Sequence, residues 1–213
     1  MTPPRAYVSP LRAAQAAATR RRILETAAEL FARDGYAATS LAKLADEAGV
    51  SLETVKANGP KSSLILAAFD QAFTGEVGDA DAAPIHQRDV GAELLDVPDE
   101  RFVRAWVEFV TGANERISRL WIALLDASMG DPAVAEGLES LQERRRSDYR
   151  ASIRAFRERG LAKRDADDEH LAASLLFLAS PSGYVQLVLD AGWSLAQYQD
   201  WLVDTIERTI FTP

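Results

Sequence analysis

Apolar residues recur at helical spacing along almost the whole chain, and no segment alternates as a strand would. A helix buries a stripe with a period of about 3.6 residues, whereas a strand buries every second residue, so this pattern predicts an all-α protein. Local signals then divide it. A first helix is expected over about 11–34, striped by Ile23, Leu24, Ala27, Ala28, Leu30 and Phe31, with Gly35 supplying a left-handed end. Ser40 can cap a helix over 41–48 and Ser51 a short one to about 57, with Gly49 at the turn between them. A fourth is expected from residue 60 or 61 to 77, with Pro60 suited to its first position and Leu64, Ile65, Ala68, Phe69, Ala72 and Phe73 buried.

Residues 1–9, flanked by Pro10, predict a flexible arm, and the acidic, Gly- and Pro-containing stretch 78–98 predicts a connection. Beyond it a helix over 99–111 is expected to break at Gly112, and Asn114 to cap another reaching 129. Asp131-Pro132 starts a helix that Gly160 stops; the next, over 167–191, is expected to bend at Pro181 and Gly183. The last runs over 195–211, striped by Leu195, Tyr198, Leu202, Ile206 and Ile210. The total is about nine helices.

Composition excludes several function classes. With 213 residues, 47% hydrophobic and 26% charged, the chain is globular and long enough for a sizeable core. It has no cysteine, so disulfides and thiolate metal sites are ruled out. Its two histidines, His86 and His170, lie far apart. No Ser-His-acid set, phosphate-cradling glycine loop or metal-ligand cluster is visible, so neither an enzyme, a cofactor nor a metal site is expected. No apolar leader is seen and no apolar run approaches the ~20 residues of a membrane span, which predicts a soluble cytoplasmic protein without a membrane partner.

The net charge of −8 would argue against a nucleic-acid partner, but its distribution matters more. Residues 1–61 hold nine Lys/Arg against six Asp/Glu, a net of +3; residues 62–213 hold fifteen against twenty-six, a net of −11. A basic head on an acidic body can meet phosphate while the body points away.

Within that head, residues 41–59 have helix-turn-helix spacing. Leu44, Ala45 and Ala48 face inward, small Ala45 permits a close crossing, Gly49 permits the turn, and Val50 and Val55 plug it. An ordinary helical hairpin in a core would share these features. The surroundings add Thr19-Arg20, Ile23-Leu24, Ala27-Ala28, Leu30-Phe31, Gly35-Tyr36, Thr39-Ser40, Ala48-Gly49-Val50-Ser51, Thr54, Pro60 and Ile65-Leu66. At this spacing the run 19–69 resembles the N-terminal domain of TetR-family transcriptional regulators. The resemblance implies an arm and three-helix helix-turn-helix domain over 1–60, then a helical effector-binding and dimerisation domain over 61–213. It also implies a repressor that binds a palindromic double-stranded operator as a homodimer and is released by a small, largely apolar molecule.

The recognition helix departs from the family pattern. The family commonly ends it with Tyr, any residue, Tyr, Phe, then Pro, a small residue and Lys. This chain has Lys56, Ala57, Asn58, Gly59 and Pro60, and its lysine comes one residue early as Lys61. Two readings follow. Lys56, Asn58 and Lys61 take over the phosphate role, with Pro60 and Leu64 holding the tip; or DNA binding is weakened and the chain is a helical interaction protein on the same scaffold. On the first reading Thr39, Ser40, Ser51, Lys56, Asn58 and Lys61 are backbone candidates, and Leu52, Glu53, Thr54 and Ala57 face base edges. Glu53 could instead point to solvent. Arg5, Arg12 and Arg20–Arg22 could follow a groove or remain solvated.

In the body, Phe102, Trp106, Phe109, Trp121, Tyr149, Phe156 and Phe177 are candidates for the effector pocket that the resemblance implies, or plain core. Trp106 and Trp121 are expected on neighbouring helices, able to face each other. Arg145 falls on an apolar face, where it could meet an anionic ligand or form a surface ion pair. Leu175, Leu178, Leu187, Trp201, Leu202 and Ile206 are the implied dimer contacts.

Overall fold

The computed structural model describes residues 10–75, 94 and 96–211. The arm at 1–9 with Arg5, His86, and most of the connection at 78–98 lie outside the described residues. Helix α1 spans Pro10–Asp34 and buries Ile23, Leu24, Ala27, Leu30 and Phe31; Gly35 ends it at φ +81°. α2 (Leu41–Ala48) and α3 (Leu52–Ala57) follow, then α4 (Lys61–Thr74). Pro60 is the N-cap of α4 rather than its first residue, and left-handed Gly75 stops the helix short of residue 77. Burial on α4 is broader than a stripe: Leu64 to Gln71 are all buried, while Ala72 and Phe73 are only half-buried. A helix enclosed on all sides is the natural centre of such a bundle.

Helix α5 runs unbroken over Asp99–Gly130, so the expected break at Gly112 and cap at Asn114 are not formed. A glycine costs a helix about 1 kcal/mol relative to alanine, and burial of Val107, Val110, Ala113, Ile117 and Leu120 on either side outweighs it. Asn114 is fully buried within the helix, and its amide donates to the Ala179 carbonyl at 3.1 Å. It closes the end of a different helix from the one it was expected to start. α6 spans Pro132–Glu158, with Asp131 as N-cap, Pro132 in its first turn and Gly160 just beyond.

α7 (Asp168–Leu178) is capped by Asp167. The expected bend at Pro181 is a full stop and restart. Ala179 closes α7, and the Ser180 hydroxyl accepts from the Gly183 amide to open α8 (Pro181–Tyr184). α8 continues as π-helical turns over Val185–Asp190. Ser194 and Gln197 form a capping box that starts α9, Leu195–Ile210. Among the described residues there is no strand, only one isolated antiparallel bridge between Ala162 and Phe211.

Two apolar clusters organise the packing. The first joins α1–α4 to the C-terminal half of α5 (Ile117 to Ala127) and the start of α6 (Val134 to Leu141). The second joins the N-terminal half of α5 (Phe102 to Val110) and the end of α6 (Tyr149 to Phe156) to α7, α8 and α9. α5 and α6 therefore each reach both clusters and connect the two ends of the molecule.

Candidate nucleic-acid interface

The helix-turn-helix is set by local chemistry. The Ser40 hydroxyl accepts from the Lys43 amide at 3.1 Å, and the Ser51 hydroxyl accepts from the Thr54 amide at 3.1 Å, so both helices start on satisfied donors. Gly49, at φ +63° and ψ +40°, reverses the chain, and the Val50 amide donates back to the Ala45 carbonyl at 3.0 Å. Leu44, Ala45, Ala48 and Val55 close the crossing, with Val50 half-buried beside them.

α3 turns Glu53, Lys56 and Ala57 fully outward with Ser51 at its start, and leaves Thr54 half-buried. Ser40 is exposed at the start of α2. Leu52 is half-buried and packs on the first apolar cluster, so less of it is offered to a base edge than expected. Arg12, Arg21 and Arg22 on α1 are exposed.

Three candidates are turned inward. Thr39 is buried, and its hydroxyl donates to the Gly35 carbonyl at 2.8 Å; it holds the α1–α2 turn and presents no phosphate donor. The Lys61 ammonium donates to the Tyr36 carbonyl at 2.9 Å and lies 4.0 Å from the centre of the Tyr36 ring. Asn58 donates its amide to the Thr54 carbonyl at 2.8 Å, folding back on α3. Of the expected replacement trio, Lys56 alone points to solvent.

The tip is braced by a residue whose role was not apparent from spacing. Arg20, on α1, donates to the Asn58 carbonyl at 3.2 Å and approaches its side-chain oxygen at 3.5 Å. Leu64 below is fully buried, as expected, and its amide donates to the Pro60 carbonyl. Gly59 takes φ +123°, which L side chains rarely adopt, so the altered tip follows a path fitted to glycine.

Two further contacts tie the reading head and α4 to the rest of the body. The Tyr36 hydroxyl donates to Asp131 at 2.7 Å, while Asp131 also accepts from the Ala133 amide as N-cap of α6. Burial first, then this bond, pushes the Tyr36 phenol well above its ordinary range; the same bond leads the lowering of the Asp131 carboxyl. Arg116 on α5 donates to the Ala72 and Phe73 carbonyls, satisfying the last turn of α4.

Asp34 fixes α2 against α1, accepting from the Lys43 ammonium at 2.9 Å and from Arg33. Its hydrogen bond from Arg33, followed by that from Lys43, lowers the carboxyl from 3.8 to about 2. A carboxyl whose folded value is depressed stabilises above its unfolded value and loses that contribution as pH falls through the folded one. Acid melts should therefore weaken between about pH 4 and 2, and Asp34→Asn should flatten that limb. An unchanged limb would remove Asp34 from the acid response.

In the body, Phe102, Trp106, Tyr149 and Phe156 converge: Trp106 lies 6.1 Å from Tyr149 and 6.2 Å from Phe156, and Phe102 lies 5.4 Å from Phe156. Trp121 sits apart, against Phe69 at 5.6 Å in the first cluster. It shares helix α5 with Trp106 and does not lie on a neighbouring one. Phe109 is half-buried, 6.2 Å from Phe73. Phe177 is 78% exposed and lines an outer groove of about 400 Å³ with His170, Ala173, Ser174, Leu178 and Thr209, apart from the buried aromatic set. Among the dimer candidates Leu175, Leu202 and Ile206 are fully buried in the chain's own core. Leu178 and Leu187 are half-buried and Trp201 is exposed.

Residues 23–55 match the family of bacterial regulatory proteins, tetR family. Residues 98–210, more than half of the chain, match the C-terminal domain of BetI-type transcriptional repressors. The chain belongs to the TetR family. It is accordingly a DNA-binding transcriptional regulator, all-helical, with an N-terminal helix-turn-helix. No curated protein matches it significantly over its sequence. Among solved structures, a protein from Saccharomonospora viridis described as a transcriptional regulator, in complex with choline, is 26% identical. That match covers 92% of this chain and 99% of the other, with a TM-score of 0.67. A TetR transcriptional regulator from Chloroflexus aurantiacus is 21% identical over 94% and 100% of the two chains, TM-score 0.64. NalD of Pseudomonas aeruginosa, the secondary repressor of the MexAB-OprM multidrug efflux pump, is 17% identical over 93% and 98%, TM-score 0.62. The last two likenesses speak for the fold.

Proposed function

We propose that this TetR-family protein is a cytoplasmic, non-enzymatic repressor that binds a palindromic operator as a homodimer and leaves it when a small molecule binds. Residues 1–60 read DNA, and 61–213 bind effector and partner. The observation that carries the reading is the outward face of α3, where Glu53, Lys56 and Ala57 stand free beside Thr54 on doubly capped helices in the basic part of the chain. Effector response is supported by the Saccharomonospora viridis relative, solved with choline. Dimerisation is supported by the stretch Asp168–Asp190, which is long and apolar enough for a membrane span although no run of that kind was expected, yet is only 33% buried. It is interrupted at Ala179-Ser180, so an apolar face awaiting a second helical surface suits it better than a lipid span.

Selection from random-sequence DNA, read by gel shift, tests this. A specific site should emerge, and its affinity should fall with salt at a logarithmic slope of about −0.9 per neutralised phosphate. Salt-independent association would contradict the reading. The second reading, an interaction protein with DNA binding lost, draws on the inward turn of Lys61 and Asn58. Failure to select any sequence would favour it.

A further inference from the structure

Arg145 and Tyr198 are the most demanding polar groups in the body. Tyr198 is fully buried, yet its hydroxyl has no hydrogen-bond partner; the Arg145 Nη2 atom is buried and unpartnered as well. Among the described residues no carboxylate forms an ion pair with Arg145, although its sequence neighbours on α6, including Arg146 and Arg150, are paired with Glu143. A buried donor without a hydrogen-bond partner is costly, and such a group persists where another requirement keeps it.

The two groups share one neighbourhood. The Arg145 guanidinium lies 5.3 Å from the centre of the Trp121 ring. Trp121 donates to the Ser182 hydroxyl at 3.0 Å. The next residue, Gly183, approaches the Tyr198 hydroxyl so closely that a Cβ there would stand 3.6 Å from it. The Tyr198 ring in turn packs edge-on against Tyr184 of α8, their ring centres 5.7 Å apart. This circuit of contacts runs from α6 through α5 and α8 to α9, where the two apolar clusters meet.

We propose that this circuit is the effector site, and that its ligand is a small carboxylic acid with an aromatic or apolar body, bound as the anion between Arg145 and Tyr198. The inference rests on the reading of the chain as a ligand-responsive regulator and names the ligand's chemistry. Arg145 and Tyr198 both offer N–H or O–H donors, and a carboxylate accepts from both. Trp121 beside Arg145 and Tyr184 beside Tyr198 supply flat apolar surface around them. A quaternary ammonium such as choline is disfavoured, because the Trp121 face that would attract a cation already carries one.

Calorimetric titration of the full chain with three probes of one shape and different charge tests the site: phenylacetate, phenylacetamide and benzyltrimethylammonium. Phenylacetate should bind at least about tenfold tighter than the amide, with the cation weakest. Arg145→Gln should bring phenylacetate to the level of the amide, and Arg145→Lys should retain part of the preference. Tyr198→Phe should weaken phenylacetate several-fold and spare the amide more, which keeps the test open if Arg145→Gln does not fold by circular dichroism. Equal affinities, a preference for the cation, no phenylacetate binding up to its solubility, or an unchanged preference in folded Arg145→Gln would each overturn the proposal. Release of operator DNA by the cation would do so while leaving the regulator reading intact. Failure to select any DNA would sink that reading and leave the probe series to judge the site alone.

Discussion

Phe177→Asp is expected to yield a folded monomer, whereas Leu202→Asp is expected to yield no folded protein. Both residues lie on the apolar faces of the terminal helices, but they look in opposite directions. Phe177 is 78% exposed on α7 beside the groove that Thr209 of α9 also lines, while Leu202 is fully buried against the chain's own second cluster. A carboxylate at 177 is solvated in the single chain and stranded only when a second apolar surface covers it. At 202 it is stranded from the start. That loss should exceed about 4 kcal/mol, a large part of the about 5–15 kcal/mol that holds a domain together. Ile206→Asp should behave like Leu202→Asp. Light scattering at micromolar concentration and thermal melts by circular dichroism separate the outcomes. A monomeric wild type would refute the dimer face, and a folded, cooperative Leu202→Asp would refute the inward placement.

The contrast between these residues marks what a sequence can carry. Helical spacing identifies Leu202 and Ile206 as apolar-face residues, but it does not say whether that face meets the chain's own core or another copy. Signals confined to a few neighbouring residues read correctly: the caps at Ser40 and Ser51, the turn at Gly49 and the Asp131-Pro132 start all appear where they were expected. Each depends on contacts within about one helical turn. Gly112 and Asn114 failed for the complementary reason. Their local preference for a break is smaller than the burial that a continuous α5 secures in both clusters, and the Asn114 partner is Ala179 just past the end of α7, far along the chain. Thr39 and Lys61 carry the local signature of surface groups, and nothing in spacing reveals that a side chain will turn back onto Gly35 or Tyr36. Arg20 is the instructive case. It stood among candidate groove residues, and its link to Asn58 depends on how α1 crosses α3.

That link governs the second large effect, expected at the tip of α3. With Asn58 and Lys61 engaged internally, phosphate contact from the altered tip falls to Lys56, which is exposed. Lys56→Ala should weaken binding to selected and scrambled DNA alike and flatten the salt slope by about one unit, because a phosphate contact carries no base information. Thr54→Ala should behave differently. Its hydroxyl sits 2.9 Å from that of Ser51 at the start of the helix, half-buried yet on the outward face, where it can meet a base edge. Its loss should cost the selected site about 1–3 kcal/mol more than other sequences. Arg20→Ala removes the brace from the Asn58 carbonyl, so it should reduce binding to every sequence and speed hydrogen exchange at the Val55 and Asn58 amides. Lys56→Ala should leave that exchange unchanged, which separates loss of a contact from loss of the helix that presents it. Titrations at several salt concentrations, with exchange measured on the same preparations, decide among these outcomes. If folded Lys56→Ala binds both DNAs as tightly as wild type at low salt, the tip makes no phosphate contact through this residue. If Arg20→Ala also leaves binding and exchange untouched, the bond seen between α1 and α3 has no part in presenting the recognition helix.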